Sequence, residues 1–205
     1  MLVCSRARAG RGRRGDGNLT PGVALFVALT LPFLVSSSAQ ARIRLPSIIG
    51  DHMVLQRGNP VVWGWATPGA TITVAIADVS ASTTSDASGL WTVVLSGIAA
   101  GGPHEMTIRG DGTVTVADVL TGDVWLGSGQ SNMEMATKAA RAVPVPAASA
   151  DCARIRLFTV PWAASTSPVD DTGGAWHVCT PDTVRDFSAV AYSFGHDLES
   201  TLKLP

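Results

Sequence analysis

The chain has 205 residues, with 15 basic and 16 acidic side chains that give a formal charge of −1. Five of the arginines lie within the first 14 residues. Without residues 1–41, the chain has 10 basic and 15 acidic residues and a formal charge of −5. An acidic chain without a basic stripe lacks the groups that neutralise phosphates, which argues against nucleic acid as a partner.

Residues 1–41 have the three parts of a secretory signal peptide, namely arginines, the apolar run VALFVALTLPFLV and small residues ending in Ala-Gln-Ala. The apolar run is short for a membrane span and contains Pro32, which argues against a retained anchor. We therefore predict cleavage after Ala41 and a secreted or periplasmic chain that starts at Arg42 and has no stable membrane span. An uncleaved anchor is the alternative.

Two cysteines, Cys152 and Cys179, remain after the predicted cleavage. Export would place them in a compartment where disulfides form, so both a bridge and two buried thiols stay open. No Cys-x-x-Cys pair and no paired histidines accompany them. The sequence therefore predicts no metal site, and it calls for no cofactor.

Between Leu45 and Val116 the chain is a series of short β-like runs separated by turn residues. The runs are HMVLQ, PVVWGWA, ATITVAIA, GLWTVVLS, HEMTIR and TVTVA. Apolar residues alternate with small and polar ones, as in the third run, and this pattern predicts antiparallel strands. Six short strands in so few residues predict a β-sandwich-like domain over residues 42–118.

Trp63 and Trp65 are two positions apart on one predicted strand, so their side chains face the same side of the sheet. They belong either to the core or to a platform on which a sugar ring stacks. Because aromatic residues dominate the burial in small domains, we predict that they are core residues.

After Val119 the pattern changes to strand, helix, strand, loop and helix. GDVWLGSG predicts a strand buried on both faces, NMEMATKAARAV a helix and RIRLFTVP a second strand. The last helix has Asp186 as its predicted N-cap and an apolar face. That face consists of Phe187, Val190, Ala191, Phe194, Leu198 and Leu202. This order predicts the start of an α/β domain over residues 119–205, and two strands are too few to complete it.

Ser131 lies at the predicted junction between strand and helix, and it has two interpretations. In the structural one, Ser131-Asn132-Met133-Glu134 is a capping box. Its serine hydroxyl accepts from the N–H of Glu134, and the carboxylate reaches back to the N–H of Ser131. Such boxes are common at the start of helices.

In the functional interpretation, Ser131 is exposed at the carboxyl edge of a sheet, where ligands bind in open α/β folds. Gly127 and Gly129 would allow the tight turn that such a position needs. Backbone N–H groups of the turn would then stabilise an oxyanion on an attacked carbonyl. The arrangement follows the logic of a nucleophile elbow, although Gly-x-Ser-x-Gly itself is absent.

The segment GDVWLGSGQSNMEM resembles the nucleophile block of the sialate O-acetylesterase family, a branch of the SGNH (GDSL-like) hydrolases. Other segments resemble further parts of the family's N-terminal portion in the same order. They are IIGDHMVLQRGNPVVWGWATPGATITV, GLWTVVLSGIAAGGPHEMTIRG, RIRLFTV and AWHVCTPDTVRDFSAVAYSFGHDL. The resemblance runs from about Leu45 to Leu204 and covers nearly the whole predicted mature chain.

The resemblance implies a flavodoxin-like three-layer esterase domain that removes acetyl groups from O-acetylated sugars, including sialic acid. Ser131 occupies the nucleophile position, and its backbone N–H would be one oxyanion donor. Gln130 and Asn132 flank it and would orient the turn or touch the substrate. Glu134 is assigned to the helix cap, and Gly127, where the family often has Cys, to the turn.

The family also implies a general base from an Asp-x-x-His pair, and further oxyanion donors from a Gly-containing loop and an Asn. None of these segments has a counterpart in the 205 residues. His52 and His104 fall in the β region, His177 lies beside a loop, and His196 lies on the last helix, where Asp197 points away.

We therefore expect a truncated chain that contains the nucleophile without its base and is inactive alone. A non-catalytic carbohydrate-binding β-module and an inactive remnant remain as alternatives.

Overall fold

The computed structural model describes residues 43–140 and 153–205. The predicted signal peptide, Arg42 and Cys152 lie outside these ranges, so the inferences drawn from them stay predictions. Within the described ranges, no helix is both long enough and apolar enough to cross a membrane.

Seven strands form the N-terminal β region and divide into two sheets. They are β1 (Val54–Gln56), β2 (Val61–Trp65), β3 (Thr71–Ile76), β4 (Val79–Thr84), β5 (Leu90–Val94), β6 (Gly101–Arg109) and β7 (Thr113–Gly122). The larger sheet has the order β1-β7-β6-β3-β4, and β2 pairs with β5 in the smaller one. The sheet order is mixed, because β1 pairs with β7 in parallel while every other pair among these strands is antiparallel.

The two sheets share one hydrophobic core. β3 buries Ile72, Val74 and Ile76 from the large sheet, and β5 buries Trp91 and Val93 from the small one. The alternation along β3 thus follows the sequence prediction, since its intervening residues lie outside the core. The prediction of antiparallel strands is confirmed for all pairs except β1 and β7.

Strand β4 was not predicted, because it contains no large apolar residue beyond Val79. Its residues alternate beside β3 between half-buried positions, which include Ala81 and Thr83, and exposed positions, which include both serines. Thr73 of β3 and Ser82 of β4 are hydrogen-bonded across the pair at 2.8 Å. Polar cross-strand contacts of this kind replace the apolar signal that would have revealed the strand.

The prediction that Trp63 and Trp65 are core residues is wrong. Along β2 it is Val62 and Gly64 that are buried, so the two tryptophans lie on the opposite, outward face and are half-buried there. Trp63 touches the margin of the core. Gly64 faces inward because the indole of Trp91, its cross-strand partner, packs directly on its backbone.

Strand β7 continues through the predicted boundary at residue 118 and ends at Gly122. The predicted buried strand over GDVWLGSG is therefore wrong, since no strand forms between Gly122 and Ser131. Val124, Trp125 and Leu126 are exposed instead. A strand needs a neighbour to satisfy its backbone, and none of the described strands pairs with this segment.

The predicted second strand is present as β8 (Arg156–Phe158), but it pairs antiparallel with β9 (Trp176–Val178). Within residues 43–140 and 153–205, a three-layer parallel sheet is not formed. The β8–β9 hairpin packs on the β region, where the indole N–H of Trp176 donates to the carbonyl of Ile48 at 2.8 Å.

Arg156 fastens the same hairpin to β7. Its side chain is 4% exposed and donates to both carboxylate oxygens of Asp118, at 3.0 and 3.1 Å. Burial lowers the pKa of Arg156, and the neighbouring charge of Asp118 opposes that effect. One guanidinium nitrogen, Nη2, makes both contacts, and this charge-assisted pair ties the hairpin to the sheet.

The last helix, α2, runs from Ala189 to Leu202. Its N-cap is Ser188, whose hydroxyl accepts from the N–H of Ala191, and Asp186 is not the cap as predicted. Asp186 instead lies in a preceding 3₁₀ turn, where a hydrogen bond and the charge of Lys138 lower its pKa.

The predicted apolar face of α2 is largely exposed. Val190, Phe194 and Leu202 are each about half exposed. The residues that α2 buries are Ala189, Tyr192 and Glu199, so the helix is rotated relative to the prediction. The apolar periodicity predicted the helix correctly, but it did not predict which face of the helix packs against the rest of the protein.

A carboxylate anchors the loop before β9 to the β region. Asp171 accepts hydrogen bonds from the backbone N–H and the hydroxyl of Ser47, both at 3.0 Å, and from the N–H of Gly173. Burial alone would raise the pKa of Asp171, but these hydrogen bonds outweigh burial and lower it.

Replacement of Gly64 by Ala is expected to lower the free energy of unfolding by about 1–3 kcal/mol. The added Cβ would lie 2.8 Å from Cζ2 of Trp91 and overlap the carbonyl oxygen of Arg44. Denaturant unfolding of the two proteins measures the difference. Gly112→Ala is the matched control, because a Cβ there meets nothing within 4 Å. Equal losses in both variants would contradict the packing argument.

Replacement of Asp171 by Asn is expected to lower the free energy of unfolding at pH 7 by about 1–2 kcal/mol. Since the folded-state pKa of Asp171 is lowered, its stabilising contribution is complete above the unfolded pKa and is lost as the pH falls through the folded one. Unfolding at pH 7 and at about pH 3 should therefore show a difference that shrinks in acid. Asp170→Asn is the control, and a difference independent of pH would refute the role of the carboxylate.

Candidate functional site

Ser131 is the first residue of a short helix, α1 (Ser131–Glu134), that follows the exposed segment 123–130. Its side chain is exposed, and its hydroxyl makes no hydrogen bond to residues 43–140 or 153–205. Gln130 and Asn132, its neighbours, are exposed as well. The three side chains that the sequence singled out are therefore presented together on one turn and are open to a ligand.

The predicted capping box is absent. Gln130 occupies the N-cap position, and no side chain makes a capping hydrogen bond to α1. The N–H of Glu134 donates to the carbonyl of Gln130 at 3.0 Å, and the Glu134 side chain is exposed. Because Ser131 already has helical backbone geometry, its hydroxyl is not placed to accept from the third N–H of the helix. The cap interpretation of Ser131 and Glu134 is thus corrected.

The two glycines before Ser131 differ in their contacts. A Cβ at Gly129 would lie 2.9 Å from Cβ of Met133, so the turn approaches α1 closely at this position. A Cβ at Gly127 would make ordinary contacts, at 3.4 Å from Sδ of Met133 and 3.5 Å from Cβ of Ala191. Gly129 is therefore needed for the close packing of the turn, whereas position 127 has room for a small side chain.

The helix predicted over NMEMATKAARAV ends after its first turn. Met135 and Ala136 are extended, and a 3₁₀ turn follows at Thr137–Ala139. The N–H and the hydroxyl of Thr137 both donate to the carbonyl of Phe187, at 2.9 and 3.0 Å. These long-range hydrogen bonds replace the ones that a continued helix would have made.

The N-terminal end of α2 contacts residues 133–136, which include the end of α1. The N–H of Ala189 donates to the carbonyl of Met135 at 2.9 Å, and Ala136 forms a β-bridge with Ser188. The hydroxyl of Ser188 also lies 3.5 Å from Sδ of Met133. Ser188 therefore connects the start of α2 to α1, one turn from Ser131.

Residues 123–125 lie beside the C-terminal half of α2 and the residues that follow it. Trp125 makes an edge-to-face contact with Phe194, with ring centroids 5.3 Å apart. The N–H of Asp123 donates to the carbonyl of Pro205 at 2.9 Å. Residues 123–137 are thus positioned by α2 and the residues that follow it. At its start the segment is also held by β1 and the residue after it, since the N–H of Val124 donates to Oε1 of Gln56 at 2.9 Å and Arg57 forms an ion pair with Asp123 at 2.8 Å.

His52 forms the best-oriented histidine–carboxylate pair, with Nδ1 2.7 Å from Oδ2 of Asp118. Among the described residues, no hydrogen bond or ion pair joins the side chain of His52 or Asp118 to residues 123–137, and the carboxylate of Asp118 pairs only with His52 and Arg156. The described contacts therefore do not bring His52 to Ser131 as a general base.

His196 lies on α2, but it faces away from residues 123–137. It is separated from Phe194, which contacts Trp125, by about 200° around the helix, and its ring lies near Tyr192. Its Nδ1 is 3.8 Å from the nearest Asp197 oxygen, too far for a hydrogen bond. His104 is half-buried on β6 and His177 is exposed on β9.

The sequence did not reveal Ser188 and Thr137, the residues that fasten this site. Ser188 is a standard N-cap residue one position before the helix, so its own type was a usable signal. Thr137 had no local signal, because its role depends on a carbonyl that lies 50 residues away. Among the described residues, no group of three or more His, Cys, Asp or Glu side chains could hold a metal ion.

No protein-family model matches the chain. Two curated relatives are similar to it over 91% of its length, the sialate O-acetylesterases of Mus musculus, at 33% identity, and Homo sapiens, at 32%. A solved structure of a novel carbohydrate acetylesterase from Xanthomonas citri matches 80% of the chain, with a TM-score of 0.72 and 40% identity.

The chain spans only part of the proteins that it matches. The matched region is 39% of the mouse protein, 40% of the human one and 39% of the bacterial structure. The mixed α and β structure is therefore similar to one portion of the bacterial carbohydrate acetylesterase structure. Over the region matched, the chain belongs to the sialate O-acetylesterase family.

Replacement of Ser188 by Ala is expected to lower the free energy of unfolding by about 1 kcal/mol, because α2 loses its N-cap. Thermal or denaturant unfolding measures the loss, and Ser188→Thr should restore most of it. Ser193→Ala is the matched control, since Ser193 lies on α2 and makes no hydrogen bond to the described residues. An equal loss in the control would rule out the capping role.

Proposed function

We propose that this protein is a carbohydrate O-acetylesterase that hydrolyses acetyl esters on sugars, with Ser131 as its nucleophile. The observation that carries the proposal is the exposed Ser131 hydroxyl on the turn before α1, within a chain similar to acetylesterases over 91% of its length. The substrate class follows from the names of these relatives, which are sialate O-acetylesterases and a carbohydrate acetylesterase.

In this proposal, the Ser131 oxygen attacks the acetyl carbonyl and the sugar hydroxyl leaves, which gives an acetyl-enzyme that water then hydrolyses. The absence of a capping hydrogen bond supports this role, since the hydroxyl is not engaged by α1. Exposure of the neighbouring backbone supports it as well, because a tetrahedral oxyanion needs N–H donors directed to the same place.

Gln130 and Asn132 are proposed to serve the same step from the two sides of Ser131. Both carry amides that can donate to an oxyanion or to a sugar hydroxyl, and both are exposed. The backbone N–H of Ser131 is the third proposed donor. Glu134 and Gly127 are left without a chemical role, and Gly129 serves the packing of the turn.

We place the general base outside the described residues. His52 is paired with Asp118 and has no described contact with residues 123–137, and His196 faces the side of α2 opposite to Phe194. His104 and His177 belong to β6 and β9, which make none of the contacts that hold α1. A serine without a nearby base is a poor nucleophile near neutral pH, so residues 43–140 and 153–205 would not be active alone.

Two further features of the sequence complete the proposal. The arginine-rich start and apolar run of residues 1–41 support export to the periplasm or the cell exterior. The block GDVWLGSGQSNMEM supports an esterase domain of the SGNH kind from residue 119 onward, joined to a β-sandwich-like domain over residues 42–118.

Replacement of Ser131 by Ala in the full-length protein is expected to lower kcat on an O-acetylated sialic acid by at least about 10³-fold, since no acetyl-enzyme can form. Release of acetate measures the rate. Fragment-ion mass spectrometry of the wild-type protein after brief exposure to a fluorophosphonate should place the label on Ser131 itself and not on Ser128, which lies on the same tryptic peptide.

Ser128→Ala is the matched control, because Ser128 is an exposed serine on the same turn. Its rate should stay within about threefold of the wild type, as for a surface change that touches no reacting group. Full activity in the Ser131→Ala variant, or a label on Ser128, would overturn the assignment of the nucleophile.

A further inference from the structure

The outward face of the small sheet is apolar and aromatic, and its aliphatic residues are exposed while its two tryptophans are half-buried. We call it the β2–β5 face, and its six residues are Val61, Trp63, Trp65, Leu90, Thr92 and Val94. Val61 and Val94 are 48% and 50% exposed, and Leu90 is 38% exposed. Contiguous apolar surface of this kind marks a binding site more often than chance exposure.

The register of the two strands arranges these residues in three cross-strand pairs. Trp65 lies opposite Leu90, Trp63 opposite Thr92, and Val61 opposite Val94. Trp63 is thus in the middle of the face, beside the only hydroxyl on it. An indole with a polar neighbour is suited to the apolar C–H face of a sugar ring together with its polar rim.

A single cation stands at one end of the face. Arg44 forms a β-bridge with Trp65, and its guanidinium carbon lies 3.6 Å from the centroid of the Trp65 ring. Arg44 is exposed, and it makes no ion pair with any described residue. Its N–H donors therefore remain available, while the indole of Trp65 fixes the position of the group.

The charge around Arg44 is complementary to an anion. None of the six residues of the β2–β5 face is charged. Asp86, which precedes β5, accepts hydrogen bonds from Ser88 and from the N–H of Leu90, and Asp111 accepts one from the N–H of Thr67, two residues after Trp65. Guanidinium groups bind carboxylates with two parallel hydrogen bonds, which gives the face one specific anchor.

We propose that the β2–β5 face is a second carbohydrate-binding site whose ligand is a sugar with a carboxylate group. The sugar ring lies on Trp63 near Thr92, its carboxylate pairs with Arg44, and Trp65 holds Arg44 in place. The site is separate from Ser131, which follows β7 and packs on α2. The choice of a sugar as ligand rests on the proposed function, since the family acts on carbohydrates.

A flat ligand fits this surface better than an extended peptide does. Peptides that add to a sheet pair with the edge of a strand. The free edge of β2 is bonded to Arg44 at Trp65, and β5 covers its other side, so a peptide would have only the short stretch 61–63 of that edge to pair with.

The test is a titration of the full-length protein with 3′-sialyllactose and, as a neutral match, with lactose. Neither sugar carries an acetyl ester, so binding is measured without hydrolysis and fails or succeeds independently of Ser131. The chain has six tryptophans, whose indole N–H signals report the site by NMR. Trp63→Phe and Trp65→Phe identify their two signals.

The expected result is a shift of the Trp63 and Trp65 indole signals with 3′-sialyllactose, with a Kd of about 1 mM, and no shift with lactose. Arg44→Gln should weaken the binding at least about tenfold. Arg109→Gln is the matched control, because Arg109 is an exposed arginine on β6 that makes no ion pair with the described residues.

Three results would overturn the inference. The first is no shift at either indole with about 10 mM 3′-sialyllactose, tenfold above the expected Kd. The second is equal binding of lactose, which would remove the role of the carboxylate. The third is a shift of both indoles on raising the protein concentration without sugar, which would show that a second copy of the chain covers the face.

Discussion

The site depends on the backbone hydrogen bonds between the start of α2 and residues 135–137. A buried strand would satisfy its own N–H and carbonyl groups through neighbours, but segment 123–130 has no described strand beside it. Its position is therefore set at its two ends, by Gln56, Arg57 and Pro205 at Asp123 and Val124, and by Phe187 and Ala189 near α1. Because the capped end of α2 contacts α1 directly, the geometry of Ser131 is coupled to the stability of one helix terminus.

The β region is organised by a different constraint, the close approach of two sheets over a shared core. Gly64 allows the Trp91 indole to lie against the β2 backbone. The ring fills the space on the inward side of β2, so a tryptophan of β2 cannot be accommodated there. Trp63 and Trp65 therefore face outward, and the same packing that closes the core creates the exposed aromatic surface. Arg156 and Asp118 then join the β region to the β8–β9 hairpin through an ion pair in which the Arg156 side chain is buried.

The proposed function divides the chemistry between this region and the rest of the protein. In that proposal the matched region supplies the serine and its amide neighbours on a turn that leaves the hydroxyl unengaged. His52 is paired with Asp118, and His196 lies on the Tyr192 side of α2. A serine positioned by one part of a chain and activated by another is consistent with a region that makes up 39% of its relatives' length.

Most of what the sequence determined was local. Alternation identified six of the seven strands of the β region. In a strand with one buried face, successive residues point to the core and to solvent in turn, so apolar and polar residues alternate along the sequence. It missed β4, whose contacts are between hydroxyls. The order of motifs around Ser131 was sufficient for the resemblance to a family, since motif identity does not depend on the conformation of the turn.

The tertiary structure decided which partner each element has. It placed Gln130 and not Ser131 at the N-cap, turned the face of α2, ended α1 after one turn and paired β8 with β9. Each of these outcomes depends on a group far away in the chain, such as the Phe187 carbonyl for Thr137 or the Trp91 ring for Gly64. Local sequence specifies which positions of an element are apolar. Only the assembled fold specifies which of these positions are buried and which distant residues they contact.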